Sequence, residues 1–345
     1  MSELRWNPLL EEWVVTATHR QERTFFPPAD YCPLCPTKPG GFPTEVPEAA
    51  YDVVVLENRF PSLKADAPEP AIDGSDLTPV APAAGVCEVV LYSAQHDATL
   101  VSLGRETVYK LVQVWRDRYE ELGAKDFIKY VFIFENRGPD VGVTLSHPHG
   151  QIYAFPFIPP VPLRELESMG RYCRNTGRCL MCDLLRQEVA AGIRLVSRFG
   201  DFHTVVPFYA RYPFELHVVP ERHLGGLSDL REEEDWELAG AIHDVVARYD
   251  AIFGSPMPYM MMLHQTPTDG GSYEHFHFHI EFCPLQRAPN KLKYRAGCET
   301  GAGTFITDAL PEEWAVQLRQ ALDTKEDAGE QVWPGDECTC RGTGR

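Results

Sequence analysis

The sequence predicts an α+β fold in which one unit, made mostly of antiparallel strands with helices packed on them, occurs twice. Three observations predict the duplication. A C-x-x-C pair stands in each half of the 345-residue chain, at residues 32–35 and 179–182. Each pair is followed by an apolar run that ends near a histidine, His96 or His223. An amphipathic segment of helical period and histidine-rich strands then follow in both halves.

The predicted elements of the first half are a strand in EVVLYSAQHDATL, a helix in RETVYKLVQVWRDRYEEL, and strands in KYVFIFENRG and SHPHGQIYAF. Those of the second half are a strand in ELHVVPERHLGGL, a helix in DLREEEDWELAGAIHDVVARYDAIF, and strands in YMMMLHQ and HFHFHIEF. Ser228 is the expected N-cap of the second helix, because acidic residues fill the turn that follows it. His96 lies 51 residues before His147, and His223 lies 54 residues before His277, so order and spacing both repeat.

Chain length and the repeat together give the domain boundaries. A typical domain has about 100 to 200 residues, so the chain has room for two. We predict a first repeat at 1–165 that carries the nucleophile, and a second repeat at 166–325 that closes with a short helix from Pro311. The proline-rich residues 156–162 are interpreted as the connection, and residues 326–345 as an acidic, disordered tail.

The charge balance excludes one class of partner. The chain has 32 Lys and Arg against 50 Asp and Glu, a formal net charge of -18, which argues against DNA or RNA. No stretch of about 18 apolar residues occurs, and the N-terminal residues form no apolar segment of signal-peptide length. We therefore expect a cytoplasmic protein that acts on small molecules, with no nucleic acid and no membrane as partner.

The cysteine pairs predict metal sites. Structural zinc takes four thiolate or imidazole ligands, and the repeat offers such a quartet twice, so we expect one or two zinc ions per chain. The first set is Cys32, Cys35, His96 and His147, and the second is Cys179, Cys182, His223 and His277, where His275 could replace His277. An alternative second set, Glu165, His264, His277 and His279, mixes carboxylate with imidazole and would suit iron or zinc.

The segment HPHGQ predicts the reactive strand. Residues two apart in a strand face the same way, so His147, His149 and Gln151 line up. A neutral imidazole can attack phosphorus while an acceptor holds the proton on its other nitrogen. We predict His149 as the nucleophile and the Gln151 amide as a donor to a phosphoryl oxygen. A plain H-x-H could instead supply two metal ligands, but Gln151 favours the nucleophile.

These motifs resemble those of the galactose-1-phosphate uridylyltransferases, a duplicated branch of the histidine triad superfamily. The resemblance spans nearly the whole chain and rests on FENRG…GVTLSHPHGQI, WVVTATHRQER, ENRFPSL, HFHFHIEF and KLKYRAGCETGAG. It implies tandem histidine-triad-like domains and a ping-pong reaction of galactose metabolism. In that reaction UDP-glucose gives UMP to His149 and releases glucose 1-phosphate, and a second hexose 1-phosphate then takes the UMP.

The resemblance also implies the residues that bind substrate. They are Arg20 and Arg23 at the phosphates, Asn58 and Asn136 near the nucleotide, Thr144 ahead of HPH, and Lys293 and Glu299 at the sugar phosphate and hexose. The last two are supplied across a homodimer with shared active sites. Arg59, Thr144 and Phe305 replace the aspartate, serine and glutamine of better-known members, which leaves the hexose open.

Two other functions stay open. The second C-x-x-C is shared with relatives that act as ADP-glucose phosphorylases, so a phosphorylase or adenylyltransferase that acts on ADP-glucose or a dinucleotide is one alternative. A non-catalytic, zinc-containing module that binds nucleotides is an alternative of another class. That second alternative gives no role to Gln151, Arg20 or Arg23. Hydrolysis is disfavoured, because glutamine cannot act as the acid or base that would discharge the intermediate to water.

Overall fold

The computed structural model describes residues 2–24, 31–41 and 43–322. The strands of the first half are β1 (Ser2–Asn7), β2 (Glu12–Ala17), β3 (Val54–Glu57), β4 (Val80–Pro82), β5 (Val86–Leu91), β6 (Tyr130–Arg137) and β7 (His149–Phe155). Helix α1 (Leu100–Gly123) lies between β5 and β6. Thr99 caps its first turn, accepting a hydrogen bond from the Ser102 amide. Gly104, with φ 78° and ψ 167°, interrupts the helical backbone, and the long part of the helix begins after it at Arg105, where the predicted segment begins. The predicted tail at 326–345 lies outside the described residues.

The second half is richer in helices. They are α2 (Pro160–Thr176), α3 (Leu180–Ala191), α4 (Glu232–Ile252) and α5 (Pro311–Ala321). The strands are β8 (Leu195–Phe199), β9 (Phe202–Val205), β10 (Leu216–Pro220), β11 (Tyr259–His264), β12 (His279–Pro284), β13 (Gln286–Ala288) and β14 (Lys291–Leu292). Helix α5 begins with Pro311, as predicted.

Two local expectations were wrong. Ser228 does not cap α4, since it lies in a separate 3₁₀ turn, and α4 begins after Arg231. The Glu234 carboxylate accepts a hydrogen bond from the Arg231 amide at 2.7 Å, which satisfies the helix start. The proline-rich connection ends sooner than expected, because proline suits the first turn of a helix and Pro160 begins α2. The predicted boundary at 165 therefore falls within α2.

The sheet that carries the site runs β3-β5-β7-β6-β11-β12-β10-β9-β8, with every neighbouring pair antiparallel. Its first four strands come from the first half of the chain and the other five from the second. The halves meet where β6 pairs with β11, with Glu135 opposite Met261. The order β5-β7-β6 in one half matches β10-β12-β11 in the other, so two copies of one unit join edge to edge.

The two long helices pack on one face of this sheet. Helices α1 and α4 contact each other across the junction, and their apolar side chains share a core with the strands beneath. Trp115, Ile242, Ile133, Ile152 and Met261 are fully buried members of that core. Within the described residues, no helix is long and apolar enough to cross a membrane. The cytoplasmic location stays a prediction.

Candidate active site and metal sites

The nucleophile candidate lies on β7, near the middle of the first half-sheet. Ile152 and Ala154 face the helices and are fully buried, so strand alternation turns His149, Gln151 and Tyr153 to the opposite face. The Nδ1 of His149 lies 2.7 Å from the backbone oxygen of His147. This contact favours the tautomer that is protonated on Nδ1, and in that tautomer the ring's lone pair is on Nε2.

A side-chain amide is fixed beside that ring. Gln151 accepts a long hydrogen bond of 3.5 Å from Asn58 Nδ2, and Asn58 Oδ1 in turn accepts from the Phe60 amide at 2.9 Å. Because the Gln151 oxygen takes the role of acceptor, its NH₂ group is the part that can donate to a ligand. The structure therefore places a donor amide one pleat from the His149 ring.

A cavity of about 500 Å³ opens beside His149 and Gln151, which is a size typical of small-molecule sites. Its apolar walls are Leu34, Leu56, Phe60, Val89 and Leu145. Its polar walls include Asn58, Asn136 and Thr144, three of the predicted substrate residues. Arg59 also lines it and forms an ion pair of 3.1 Å with Glu45. The chain thus has a cation where the resemblance leads one to expect a carboxylate.

The predicted phosphate-binding arginines, Arg20 and Arg23, belong to the segment that follows β2. Arg20 belongs to a 3₁₀ helix at Thr18–Thr24, and its guanidinium donates to the Ser62 hydroxyl and, at 3.0 Å, to Tyr153. Tyr153 shares a strand face with His149, so Arg20 lies on the same side of the sheet. The side chain of Arg23 is outside the described part of the structure.

Two other predicted substrate residues are not brought to this cavity within the chain. Lys293 donates to the Glu299 carboxylate at 3.1 Å, and both side chains are largely buried. The backbone amides of Glu299 and Ala296, together with Lys293, hold the pKa of the Glu299 carboxyl below its usual range. Neither residue is among those that line the His149 cavity.

The structure brings together the first predicted metal set. One ligand atom from each of Cys32, Cys35, His96 and His147 lies within 4.8 Å of the other three. The Nδ1 atoms of His96 and His147 lie 3.4 and 3.5 Å from Cys35 Sγ. Two thiols and two imidazoles are the donors that zinc takes in closed tetrahedral sites, so these residues fit zinc.

The far side of the His147 ring is also held. Its Nε2 lies 2.8 Å from the Ser93 oxygen and 2.9 Å from the Tyr51 hydroxyl, which orients Nδ1 toward the cysteines. Burial lowers the pKa of His147 to about 4, so the ring is neutral at pH 7. Burial raises the pKa of the Cys35 thiol to about 11, so metal binding would release a proton. Tyr51 was missed because nothing in its local sequence marks it.

The second cysteine pair also lies beside two histidines. One ligand atom each from Cys179, Cys182, His223 and His277 lies within 4.8 Å of the others. The Nδ1 of His277 is 3.3 Å from Cys182 Sγ and 3.6 Å from Cys179 Sγ, and its Nε2 is 3.0 Å from the Pro220 oxygen. Both ring nitrogens of His277 are thus engaged at this set.

That arrangement corrects the alternative second set. His277 does not join Glu165, His264 and His279, because it faces the cysteines, and Glu281 takes its place. His264 Nδ1 lies 2.8 Å from Glu165, and the His264 and His279 rings stack at 4.8 Å. The duplication could have found Glu281, because it stands in HFHIE where Gln151 stands in HPHGQ.

Charge dominates this buried carboxylate and imidazole cluster. Burial opposes protonation of His264, but the charges of Glu165 and Glu281 outweigh it and raise the pKa of His264 to about 9. Burial lowers the pKa of His279 to about 4. His279 holds the position that His149 holds in the first repeat, and its Nδ1 lies 3.1 Å from the His277 oxygen. The second repeat therefore keeps the histidine but surrounds it with carboxylates.

Comparison with known proteins decides the family. The family description "Galactose-1-phosphate uridyl transferase, N-terminal domain" matches residues 1–159, and its C-terminal counterpart matches residues 165–329. A galactose-1-phosphate uridylyltransferase of Thermotoga maritima is 43% identical over 323 residues, which cover 93% of this chain and 98% of the relative. The chain belongs to the galactose-1-phosphate uridylyltransferase family.

Other members of the galactose-1-phosphate uridylyltransferase family agree. The enzyme of that name from Streptomyces lividans is 36% identical over 338 residues, covering 94% of this chain and 88% of the relative. A solved uridylyltransferase superposes with a TM-score of 0.82 at 33% identity, over 92% of this chain and 98% of that one. An ADP-glucose phosphorylase of Arabidopsis thaliana, with a TM-score of 0.71 at 24% identity over 94% of this chain and 100% of that one, shares the fold. The predicted fold class, family and uridylyltransferase activity are confirmed.

Proposed function

We propose that the chain transfers UMP from UDP-glucose to a hexose 1-phosphate through a covalent bond between phosphorus and Nε2 of His149. One observation carries the proposal. The 2.7 Å contact between His149 Nδ1 and the His147 oxygen favours the tautomer with its lone pair on Nε2, in a side chain that lines a cavity large enough for a nucleotide. The same carbonyl stabilises the cation that forms when Nε2 bonds to phosphorus.

The first half-reaction is a displacement at the α-phosphorus. The Nε2 lone pair forms the bond to phosphorus, the bond from phosphorus to the bridging oxygen breaks, and glucose 1-phosphate leaves with that electron pair. Gln151 donates its NH₂ to a non-bridging oxygen, whose charge grows in the transition state. A hexose 1-phosphate oxygen then attacks the same phosphorus, the bond to Nε2 breaks, and the neutral imidazole returns.

The cavity walls support the division of roles. The apolar walls, among them Phe60 and Val89, offer an apolar surface to a flat base, and Asn136 and Thr144 add polar groups to the lining of the same cavity as His149. Arg20 serves the phosphates from the same side of the sheet as His149, where its hydrogen bond to Tyr153 holds it. Arg23 is assigned the same service from its neighbouring place in the sequence.

Both cysteine pairs are proposed to hold zinc. The donor chemistry of the two quartets is identical, and in each the histidine that precedes the reactive position is oriented by a backbone oxygen. Zinc would tie the loop that holds Cys32 and Cys35 to His147, which lies two residues before β7. That loop also supplies a wall of the cavity through Leu34.

The active form is proposed to be a homodimer in which each chain completes its partner's site. Lys293 and Glu299 do not line the His149 cavity of their own chain, which supports their delivery from the other copy. A preformed pair also needs less ordering when the chains associate.

Labelling tests the covalent step. UDP-glucose that carries ³²P in the α-phosphate should leave label on the folded wild type and none on His149→Asn. The matched control is His279→Asn, which removes the histidine from the same position in the second repeat and should keep the label. The assignment would be refuted if His149→Asn carried label. It would also be refuted if folded His279→Asn were the variant that lost the label while His149→Asn kept it.

Substrate identity needs a second assay. Initial rates with UDP-glucose plus galactose 1-phosphate, and with ADP-glucose plus inorganic phosphate, compare the proposed transferase with the phosphorylase alternative. We expect the first pair to be turned over and the second not to be.

A further inference from the structure

Gly150 separates the proposed nucleophile from Gln151, and its side of the strand is filled. A Cβ placed on Gly150 would lie 2.3 Å from the Tyr92 hydroxyl, 3.2 Å from Tyr92 Cζ and 3.3 Å from the Phe134 oxygen. Real Cβ atoms essentially never approach within 3.0 Å of another heavy atom. Glycine is therefore needed because Tyr92 packs beneath it, on the face away from His149 and Gln151.

The Tyr92 hydroxyl is held firmly in that place. It donates to Glu135 at 3.0 Å, and the other carboxylate oxygen of Glu135 accepts from Tyr259 at 3.0 Å. The Tyr92 amide donates to the Pro148 oxygen at 3.1 Å, so the same residue bonds to the reactive strand and packs under it. Tyr92 and Tyr259 are at most 1% exposed and Glu135 is 6% exposed.

These contacts also join the two repeats. Glu135 is on β6, next to β7, and Tyr259 is on β11, the first strand across the junction. Glu135 precedes Asn136, which lines the nucleotide cavity. Moving either tyrosine hydroxyl away from Glu135 would leave buried negative charge uncompensated. This cost holds both tyrosines in place against the carboxylate.

We propose that Tyr92 and Glu135 are positioning residues. They fix the position of the backbone at Gly150 so that His149 Nε2 and the Gln151 amide are aligned with the phosphorus. The proposal rests on the proposed function of His149. Neither residue is assigned a contact with substrate; their effect passes through the backbone from Pro148 to Gln151. A misplacement of about 1 Å at a reacting group can cost on the order of 100-fold in rate, so small shifts here have large effects.

A suppressor experiment tests this. Gly150→Ala should slow single-turnover labelling by UDP-glucose by roughly 100-fold, with the dissociation constant of UDP-glucose changed less than about threefold. Gly150→Ala with Tyr92→Phe removes the oxygen at 2.3 Å and leaves Cζ at 3.2 Å, so labelling should recover by about tenfold or more. Wild-type labelling by Gly150→Ala, or a double variant no faster than Gly150→Ala, would overturn the proposal.

Two further variants test the proposal even if Gly150→Ala does not fold. Tyr92→Phe and Glu135→Gln leave Gly150 in place and should each slow labelling several-fold at unchanged UDP-glucose affinity. If Gly150→Ala does not fold, unchanged labelling in both of these overturns the proposal, and slower labelling at unchanged affinity supports it. Absence of label on wild type would instead count against the function of His149, so the two failures are distinguishable.

Discussion

Replacing the buried carboxylate of Glu135 should change how stability depends on pH. Burial raises the pKa of Glu135 from 4.5 to about 6, against the opposing effects of Arg137 and the two tyrosine hydroxyls. The folded state thus binds the proton more tightly than the unfolded chain does. The resulting stability is fully present below about pH 4.5 and is lost as the pH rises through about 6.

The pKa values give the magnitude. A difference between 4.5 and about 6 corresponds to about 2 kcal/mol of unfolding free energy. Glu135→Gln keeps the shape but cannot ionise, so its stability lacks this contribution. Urea unfolding of both proteins from pH 4 to 7.5 isolates the effect, because other titrating groups cancel in the difference. Wild type should lose about 2 kcal/mol relative to Glu135→Gln across the series. A constant difference, or one of opposite sign, would refute the reasoning.

Three other predictions test the site. Gln151→Ala should slow formation of the labelled enzyme by about 100- to 1000-fold in rapid-quench experiments, and a loss below about tenfold would contradict its role as donor to the phosphoryl oxygen. Elemental analysis should find about two zinc ions per chain, about one in Cys179→Ser and about two in the control Cys87→Ser; an unchanged content in Cys179→Ser would rule out the second quartet. Mixing and refolding inactive His149→Asn with inactive Glu299→Gln should restore about a quarter of wild-type activity, because only mixed dimers contain one intact site. No recovery despite mixed-dimer formation would disprove sharing between chains.

Repetition in the sequence made much of the fold predictable. Both long helices and the histidine strands occur in the expected order, because amphipathic period and strand alternation are local properties. The join between β6 and β11 was not predicted, since edge-to-edge pairing depends on partners far apart in the chain. Helices α2 and α3 were also missed, because prolines in the first turn of α2 look like a linker.

The residues of the site also divide into those that the sequence predicts and those that only the structure reveals. The cysteine and histidine quartets were predictable because the C-x-x-C spacing repeats and the histidines recur at matching distances. Tyr92 and Tyr51 were not identified, since their roles depend on what packs against them in three dimensions. The need for glycine at position 150 was of this kind too, because only the structure shows Tyr92 beneath it.

The most direct test is a single-turnover experiment without acceptor. Enzyme in excess is mixed with UDP-glucose alone, and released glucose 1-phosphate and protein-bound UMP are both counted. We expect the two to appear at the same rate and in equal amounts, with the UMP on the peptide that contains His149. Release of glucose 1-phosphate only after galactose 1-phosphate is added, with no UMP on the protein, would contradict the covalent intermediate.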